Sequence, residues 1–422
     1  MKSNEWQIKK LNDVCIKITD GSHKSPPSVD VGFYMASIKD MTNYGFDYSE
    51  CRKISMKDYE NAVSAGCKPL KNDILISKDG NSYLKTACVI NEEMDFVILS
   101  SIAIIRPNLE LINPYFIKYF LLLKSTYEYV KNNFLSGSAI PRIVLKDFKK
   151  IELLVPPIKV QNKIIDIILS LDNKIELNNQ ININLQHLSQ LLFKQWFVDF
   201  DFPNEEGLPY KSSGGELVDS ELGMMPKNWK IKRLNEIVDN IKVSTKPGEH
   251  LKDRKYIPID TMPMKSVTII EFRSYVEANS SLILFEKLDI LIGAMRVYFH
   301  RVNLAPFKGV TRTTSFVLRS KQREDIAYNL FLLNLNETIN YADKTSKGTT
   351  MPYAIWENGL GDMKIIYPTT ELRIMFNNII LPMVERMLAN ADENRCLKDI
   401  RDTLVPKLMN GEIELDNKEI NL

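Results

Sequence analysis

The chain has 422 residues, 44% hydrophobic and 26% charged, which is enough for two or three cores of ordinary domain size. Lys and Arg number 55 against 53 Asp and Glu, so the formal net charge of +2 gives the whole chain no strong attraction to nucleic acid, and any DNA binding must come from local patches. The five cysteines lack C-x-x-C spacing and the four histidines are isolated, which argues against a disulfide framework and a metal site. Because no apolar run approaches about eighteen residues, we expect a cytoplasmic protein without a membrane segment.

The first part of the chain predicts an α+β module. Short β-like runs at residues 73–77, 86–90, 97–106 and 151–155 are separated by clusters of Gly, Asn, Asp and Pro, and a helix is expected over residues 114–132. We assign residues 1–155 to this module.

A long helix is predicted next, over residues 156–200. After the Pro156-Pro157 pair, apolar residues recur at alternating intervals of four and three, the spacing of a coiled coil, with a register change expected near Asn178 and Asn179. The residues expected to pair with another helix are Ile164, Ile168, Leu171, Ile175, Ile181, Leu185, Leu188 and Leu192. Residues 201–226, rich in Gly, Pro and Ser, are predicted to form a loop between two halves.

The second half repeats this plan. Strands are expected at 289–293, 313–319 and 364–367 and a helix at 326–341, within a second module at 227–367. A second long helix is predicted over 368–412, which Pro382 could delay or kink, before a tail at 413–422. Its expected pairing residues are Leu381, Val384, Leu388, Leu397, Ile400 and Leu404.

Four segments of the first half recur in the second half in the same order. Residues 6–14 match 229–237, 71–77 match 287–293, 137–141 match 348–352, and 151–156 match 363–368. Repetition in a fixed order indicates two homologous modules with divergent loops. The two long helices are therefore expected to form an antiparallel coiled coil that separates the modules, although two ordinary amphipathic core helices remain an alternative.

Motifs for chemistry are missing from the sequence. No Gly-Lys pair occurs, which excludes a P-loop, and Ser25-Pro26-Pro27-Ser28 lacks the aromatic residue that an amino-methyltransferase needs beside the flipped base. No Gly-rich nucleotide-binding turn follows a predicted strand. We therefore expect a protein without a catalytic site of its own.

In its ordered motifs the chain resembles the specificity subunits of type I restriction-modification enzymes. The resemblance lies in GSAIPR at 137–142, LVPP at 154–157, DSELG at 219–223 followed by Pro226 and Trp229, and LVPKLMNGEI at 404–413. The chain departs from the family pattern in two places. Only Gln161 remains of an expected Glu-Gln pair, and residues 369–371 are Thr-Thr-Glu where a second proline and the acidic residue would be expected.

This resemblance implies a non-catalytic subunit with two target-recognition domains, each reading one part of a split, asymmetric double-stranded DNA sequence. The helices would set the gap and dock two modification subunits, which bind S-adenosylmethionine and methylate adenine. Restriction subunits, which use ATP and Mg²⁺, would complete the enzyme. No cofactor is expected on this chain itself.

Candidate DNA contacts are basic, amide and hydroxyl side chains in Gly-, Ser- and Thr-containing loops, because such groups reach base edges and phosphates. In the first half they are Ser22, His23, Lys24, Lys78, Asn81, Ser82, Tyr83, Gly137, Ser138 and Arg142. In the second half they are Lys246, Arg296, Tyr298, Arg301, Arg312, Lys347, Gly348 and Thr349. Two other functions remain open: the recognition subunit of a related phage-defence modification complex, and a coiled-coil scaffold with two protein-binding modules.

Overall fold

A computed structural model of the chain describes residues 6–80, 83–134, 142–413 and 415. The chain divides into two compact units, the first comprising Met1–Asp172 with Lys398–Leu422 and the second Asn173–Leu397. Both boundaries fall inside long helices, so each helix contributes residues to both units. No helix that the structure describes is long and apolar enough to cross a membrane.

Among the described residues of the first unit, the strands form two small sheets and one separate strand pair. Strands β1 and β9 pair antiparallel; β2, β8, β5 and β6 form a four-stranded sheet in that order, and β4, β3 and β7 a three-stranded sheet. The strands are β1 Gln7–Lys10, β2 Cys15–Asp20, β3 Phe33–Ala36, β4 Lys53–Ile54, β5 Ile74–Ser77, β6 Ala87–Val89, β7 Phe96–Ile98, β8 Ile102–Pro107 and β9 Glu152–Val155.

Strand β5 is buried on both faces. Ile74 and Ile76 point into one hydrophobic core, whereas Leu75 points into another, as expected where side chains alternate along a strand. An uninterrupted apolar run therefore marks a central strand with a core on either side.

The α-helices in the described part of the first unit, apart from the long ones, are α1 Met56–Ser64, α2 Pro114–Leu122, α3 Lys124–Phe134 and α4 Leu145–Phe148. Asn113 caps α2 by accepting a hydrogen bond from the Tyr115 amide, and Pro114 occupies the first turn, where its missing N–H is not needed. The single helix expected here is thus two helices, because Leu123 adopts an extended backbone conformation between them.

Among its described residues, the second unit repeats this topology and adds four strands, two at a sheet edge and two that pair with each other. Sheet order β13-β21-β18-β19 corresponds to β2-β8-β5-β6, and β16-β15-β20 to β4-β3-β7, with β17 and β14 added at the edge. Its elements are β10 Leu217–Val218, β11 Met225–Pro226, β12 Lys230–Arg233, β13 Val238–Asn240, β14 Ser244–Thr245, β15 Lys255–Ile257, β16 Arg273–Ser274, β17 Leu282–Phe285, β18 Ile290–Gly293, β19 Val302–Leu304, β20 Gly309–Arg312, β21 Ser315–Ser320, β22 Lys364–Tyr367, and helices α6 Ile326–Leu333 and α7 Asn336–Lys344.

The same bidentate ion pair recurs in both units. Arg106 donates to both carboxylate oxygens of buried Asp73 at 2.8 and 2.7 Å, and Arg319 donates to those of buried Asp289 at 2.7 and 2.8 Å. Each pair joins the two central strands of the four-stranded sheet. Shared strand order and a shared ion pair confirm the predicted internal repeat.

The two long helices are α5, Ile158–Phe193, which continues as a π-helical turn over Lys194–Val198, and α8, Thr370–Met409. Helix α8 runs without interruption through Pro382, so this proline does not delay the helix start. The chain therefore combines two homologous α+β units with two long helices.

One row of residues along α5, which we call the α5 seam, is shielded from solvent. Its residues are Ile164, Ile168, Leu171, Ile175, Asn178, Asn182, Leu185, Ser189, Leu192 and Trp196, all buried or half-buried. Their intervals of four and three never break, so the register change predicted near Asn178 and Asn179 is absent. Asn178 and Asn182 continue the seam where apolar residues were expected.

The helices pair antiparallel within the second unit. Asn178 donates to Asn394 at 2.9 Å, and Asn390, four residues earlier on α8, donates to Asn182 at 2.8 Å. In the first unit, Ile164, Ile165 and Ile168 share a core with Val405, Leu408 and Met409 of α8.

Two predicted pairing residues are corrected by the structure. The Leu188 side chain is 45% exposed and Ile400 is 47% exposed, because the buried row passes through the next residue in each case, Ser189 and Arg401. Of the remaining predicted residues, Val384 and Leu388 are buried, whereas Ile181, Leu381, Leu397 and Leu404 are half-buried.

Candidate nucleic-acid interface

A charged cluster lies at the end of β5 in the first unit. Lys78, only 3% exposed, lies 3.3 Å from the carboxylate of Asp20 and 3.6 Å from that of Asp79. Arg142 donates to Asp79 at 3.1 Å, and residues 79 and 142 also form a backbone bridge. The cluster thus joins the ends of β2 and β5 to the segment before α4, and the buried Lys78 ammonium lies between the carboxylates of Asp20 and Asp79.

The turn after β2 presents the other predicted contacts of this unit. Ser22 accepts a hydrogen bond from the Lys24 amide at 3.1 Å, and the side chains of His23 and Lys24 project into solvent. At Gly21 an added Cβ would lie 2.2 Å from the Ile98 carbonyl oxygen, so only glycine allows this close approach. His23 lies 3.4 Å from Asp20, so the turn borders the charged cluster.

Tyr83 lies in the core of the first unit. Its ring stacks on Tyr127 at 5.0 Å between centroids, its hydroxyl donates to that of Tyr127 at 2.8 Å, and burial raises its pKa to about 12. The ring is therefore not available to a base or phosphate in this conformation. Asn81, Ser82, Gly137 and Ser138 lie outside the described residues.

The second unit brings Arg296 and residues 347–349 together at the end of β18. Arg296 adopts a left-handed backbone conformation, and its amide donates to the Pro352 carbonyl at 2.8 Å. Lys347 and Tyr353 exchange two backbone hydrogen bonds of 2.9 Å, which closes a loop containing Gly348, whose φ is +90°, and Thr349. We call Arg296 with residues 347–349 the β18 loop cluster.

Tyr298 is half-exposed and contacts the ring of Phe299 at 4.9 Å. Arg301, by contrast, points inward, donates to the Ile259 carbonyl, and has a buried Nε without a partner in the described part of the chain. Arg312 is exposed at the end of β20 and borders a cavity of about 260 Å³ with Arg273. Lys246 is exposed just after β14.

The two units build these sites at equivalent places with different residues. In the first, Asp79 after β5 bridges to Arg142; in the second, Met295 after β18 bridges to Tyr353. The sequence pattern of basic and hydroxyl side chains did not predict a role for Asp20 and Asp79, although each of them precedes a glycine in the same loops as the predicted contacts. In the described residues, no group of three or more His, Cys, Asp or Glu side chains could hold a metal ion.

Comparison with known proteins agrees with this architecture. Residues 3–187 match the model of the type I restriction modification DNA specificity domain. The chain is 25% identical to the type I restriction enzyme MjaIX specificity subunit of Methanocaldococcus jannaschii, over 98% of this chain and 94% of that one. It is 26% identical to the HindI specificity subunit of Haemophilus influenzae, over 87% of this chain and 91% of that one.

A crystal structure of the type I restriction-modification system S subunit from M. genitalium has the same fold. The two superpose with a TM-score of 0.56 over 97% of each chain, at 16% sequence identity. In its matched domain and along nearly its whole length, this chain is therefore similar to type I restriction-modification specificity subunits, and it shares the fold of one of them.

Proposed function

We propose that this chain reads a bipartite, asymmetric DNA sequence, with each unit binding one half of the target. The observation that carries the proposal is that two modules of one topology present different side chains at the same place, an ion-paired Asp79–Arg142 in one and Arg296 with Lys347 in the other. Unlike side chains read unlike base edges, so the two half-sites should differ.

In this proposal the chain supplies sequence recognition and its partners supply chemistry. Two modification subunits dock on the long helices and bind S-adenosylmethionine for adenine methylation, and restriction subunits bind ATP and Mg²⁺. The exposed Lys24, Arg296 and Lys347 would contact phosphates or bases, whereas buried Lys78 would hold its loops in position.

The experiment begins with methylation sequencing of the host genome, which identifies the target as a split adenine motif. Binding of the purified complex of this chain with its modification subunits to that duplex is then measured at several salt concentrations. Loss of one phosphate contact should reduce the slope of log affinity against log salt by about one.

The matched variants are Arg296→Ala and Lys347→Ala, with Lys287→Ala as control. Lys287 is exposed before β18, at the opposite end of this strand from the β18 loop cluster. The first two variants should weaken binding, and changes in base preference should be confined to one half-site. Salt-independent binding without sequence preference, or equal effects of all three variants, would contradict the proposal and favour a protein-binding scaffold.

A further inference from the structure

The first unit contains a cavity of about 780 Å³, which is lined in part by Leu84 and Lys85, directly after Tyr83. Its walls come from α2 and α3, from Asp172 near the middle of α5, and from the last turns of α8. Tyr44, Tyr119 and Tyr127 supply aromatic surface. This volume is within the usual range for small-molecule sites, about 300–1,000 Å³.

A buried lysine lines this cavity. Lys118 is 4% exposed, its Nζ donates to the Asn43 carbonyl at 2.8 Å, and the same atom lies 4.9 Å from the centroid of the Tyr119 ring and 5.7 Å from that of Tyr44. No carboxylate within the described residues lies within 4 Å of it. Burial lowers the pKa of Lys118, because its ammonium group is desolvated while its direct partners are neutral.

The carboxylate of Asp172, which also lines the cavity, already has other hydrogen-bond partners. Asp172 accepts hydrogen bonds from the hydroxyl of Tyr119 and from Arg401, the latter at 2.9 Å. The charged side chains around the cavity are Lys85, Lys118, Lys124 and Arg401 against Asp172 and Asp402, so cations exceed anions by two. Such a lining favours an anion, which would give the Lys118 ammonium the counter-charge that a buried ion requires.

We propose that this cavity binds an anionic small molecule with a planar ring, of which a nucleoside phosphate is the simplest example. The phosphate groups would lie against Lys118 and the cations at the rim, Lys85 and Lys124, while the ring would pack on the tyrosines. The proposal is independent of DNA recognition, because the cavity shares no residue with the charged cluster at the end of β5 or with the β18 loop cluster.

Titration calorimetry on the full-length chain with ADP, adenosine and inorganic pyrophosphate tests the proposal. ADP should bind at least about tenfold more tightly than either fragment, since only ADP has both groups. Lys118→Met should weaken ADP binding by about tenfold or more, the loss expected for a hydrogen bond to a charged group. Because Lys118 packs in the interior, the exposed Lys85→Met and Lys124→Met serve as second variants, each expected to weaken ADP binding about threefold or more.

Lys57→Met, an exposed position on α1 outside the cavity lining, is the matched control and should bind ADP like the unmodified chain. Absence of ADP binding would overturn the proposal. So would ADP binding that is equally strong in the Lys85, Lys118 and Lys124 variants, or equally weakened in the Lys57 control. Weaker duplex binding by Lys118→Met without any ADP binding would assign the cavity to the DNA backbone and would also overturn it.

Discussion

Arg373 donates a hydrogen bond to the carboxylate of Asp325, and both side chains are almost completely buried in the second unit. Arg373 lies on α8 five residues after Pro368, and Asp325 precedes α6. The equivalent place in the first unit holds a neutral pair: Gln161, five residues after Pro156, accepts a 2.8 Å hydrogen bond from the amide of Asn113, the residue that precedes α2. One repeat thus uses an ion pair where the other uses amides.

The variant Arg373→Gln should destabilise the second unit by about 3–5 kcal/mol, because the buried Asp325 carboxylate would lose its cation and keep the neutral Tyr367 hydroxyl, at 2.6 Å, as a partner. The double variant Asp325→Asn with Arg373→Gln recreates the neutral pair of the first unit and should recover most of this loss. Urea unfolding followed by tryptophan fluorescence measures the effect, since Trp196, Trp229 and Trp356 lie in the second unit. Glu371→Gln, at an exposed position, is the control; a double variant as unstable as the single one would contradict this prediction.

The corrected helix register predicts different outcomes for two leucines three residues apart. Leu185→Asp should cost about 2–4 kcal/mol, because this side chain packs against the core of the second unit. Leu188→Asp should change the free energy of unfolding by less than about 0.5 kcal/mol, since Leu188 is exposed. Thermal unfolding of both variants is the measurement. A larger loss for Leu188→Asp would restore the register inferred from the apolar pattern.

The sequence predicted the long helices better than their register. Apolar spacing located the helices because a stripe of Leu and Ile persists over most of their length, and the repeat located the modules. The predicted pairing residues are wrong where the α5 seam becomes polar. Asn178 is fully buried, but an asparagine does not contribute to a hydrophobic pattern, so the apolar spacing instead pointed to Ile181 and Leu188. Only a partner, here Asn394, reveals why a buried amide is tolerated.

The candidate site shows the same limit for charged residues. A lysine in a Gly- and Asp-containing loop predicts solvent exposure and phosphate binding, and Lys24 and Lys347 are indeed exposed. Lys78 is buried because strands far apart in sequence bring Asp20 against it, a contact that local composition does not encode.

Lys78→Met is therefore expected to act through stability. Removing the buried ammonium leaves the Asp20 carboxylate without its buried cation, while Asp79 keeps its ion pair with Arg142, and the loss should cost about 3–5 kcal/mol in the first unit. Lys24→Met should leave the melting temperature unchanged while weakening DNA binding, because its side chain projects into solvent. Differential scanning calorimetry with DNA titration separates the two effects; an unchanged melting temperature for Lys78→Met would contradict the assigned role.

Thiol reactivity should distinguish one cysteine from the other four. Burial raises the pKa of Cys15 and Cys88 to about 12 and that of Cys51 to about 11, and Cys67 is also raised, whereas Cys396 is exposed on α8. A raised pKa leaves less thiolate at any pH below it, so iodoacetamide at neutral pH should label only Cys396 quickly. Labelling of the others should accelerate as the pH rises toward 11–12 or after unfolding. Mass spectrometry of labelled peptides is the measurement, with Cys396→Ser as control; rapid native labelling of Cys88 would show that its strand is not packed as described.

The asparagines of the α5 seam should be energetically coupled to those of α8. Asn394 accepts a hydrogen bond from Asn178 and donates one to the side chain of Asn179 at 2.9 Å. Asn394→Leu alone leaves these amide groups without their Asn394 hydrogen bonds and should cost about 1–3 kcal/mol of stability. Adding Asn178→Leu places an apolar pair in the seam, and the double variant should be more stable than the sum of the single losses predicts, with a coupling of about 0.5–3 kcal/mol. A double-mutant cycle by urea unfolding measures this coupling.

Asn184→Leu, at an exposed position on α5, is the control and should show no coupling with Asn394→Leu. If the losses of stability from Asn178→Leu and Asn394→Leu were simply additive, the two amides would not be energetically coupled. If the losses are coupled, the polar residues of the α5 seam favour one alignment of the two helices and so contribute to their register.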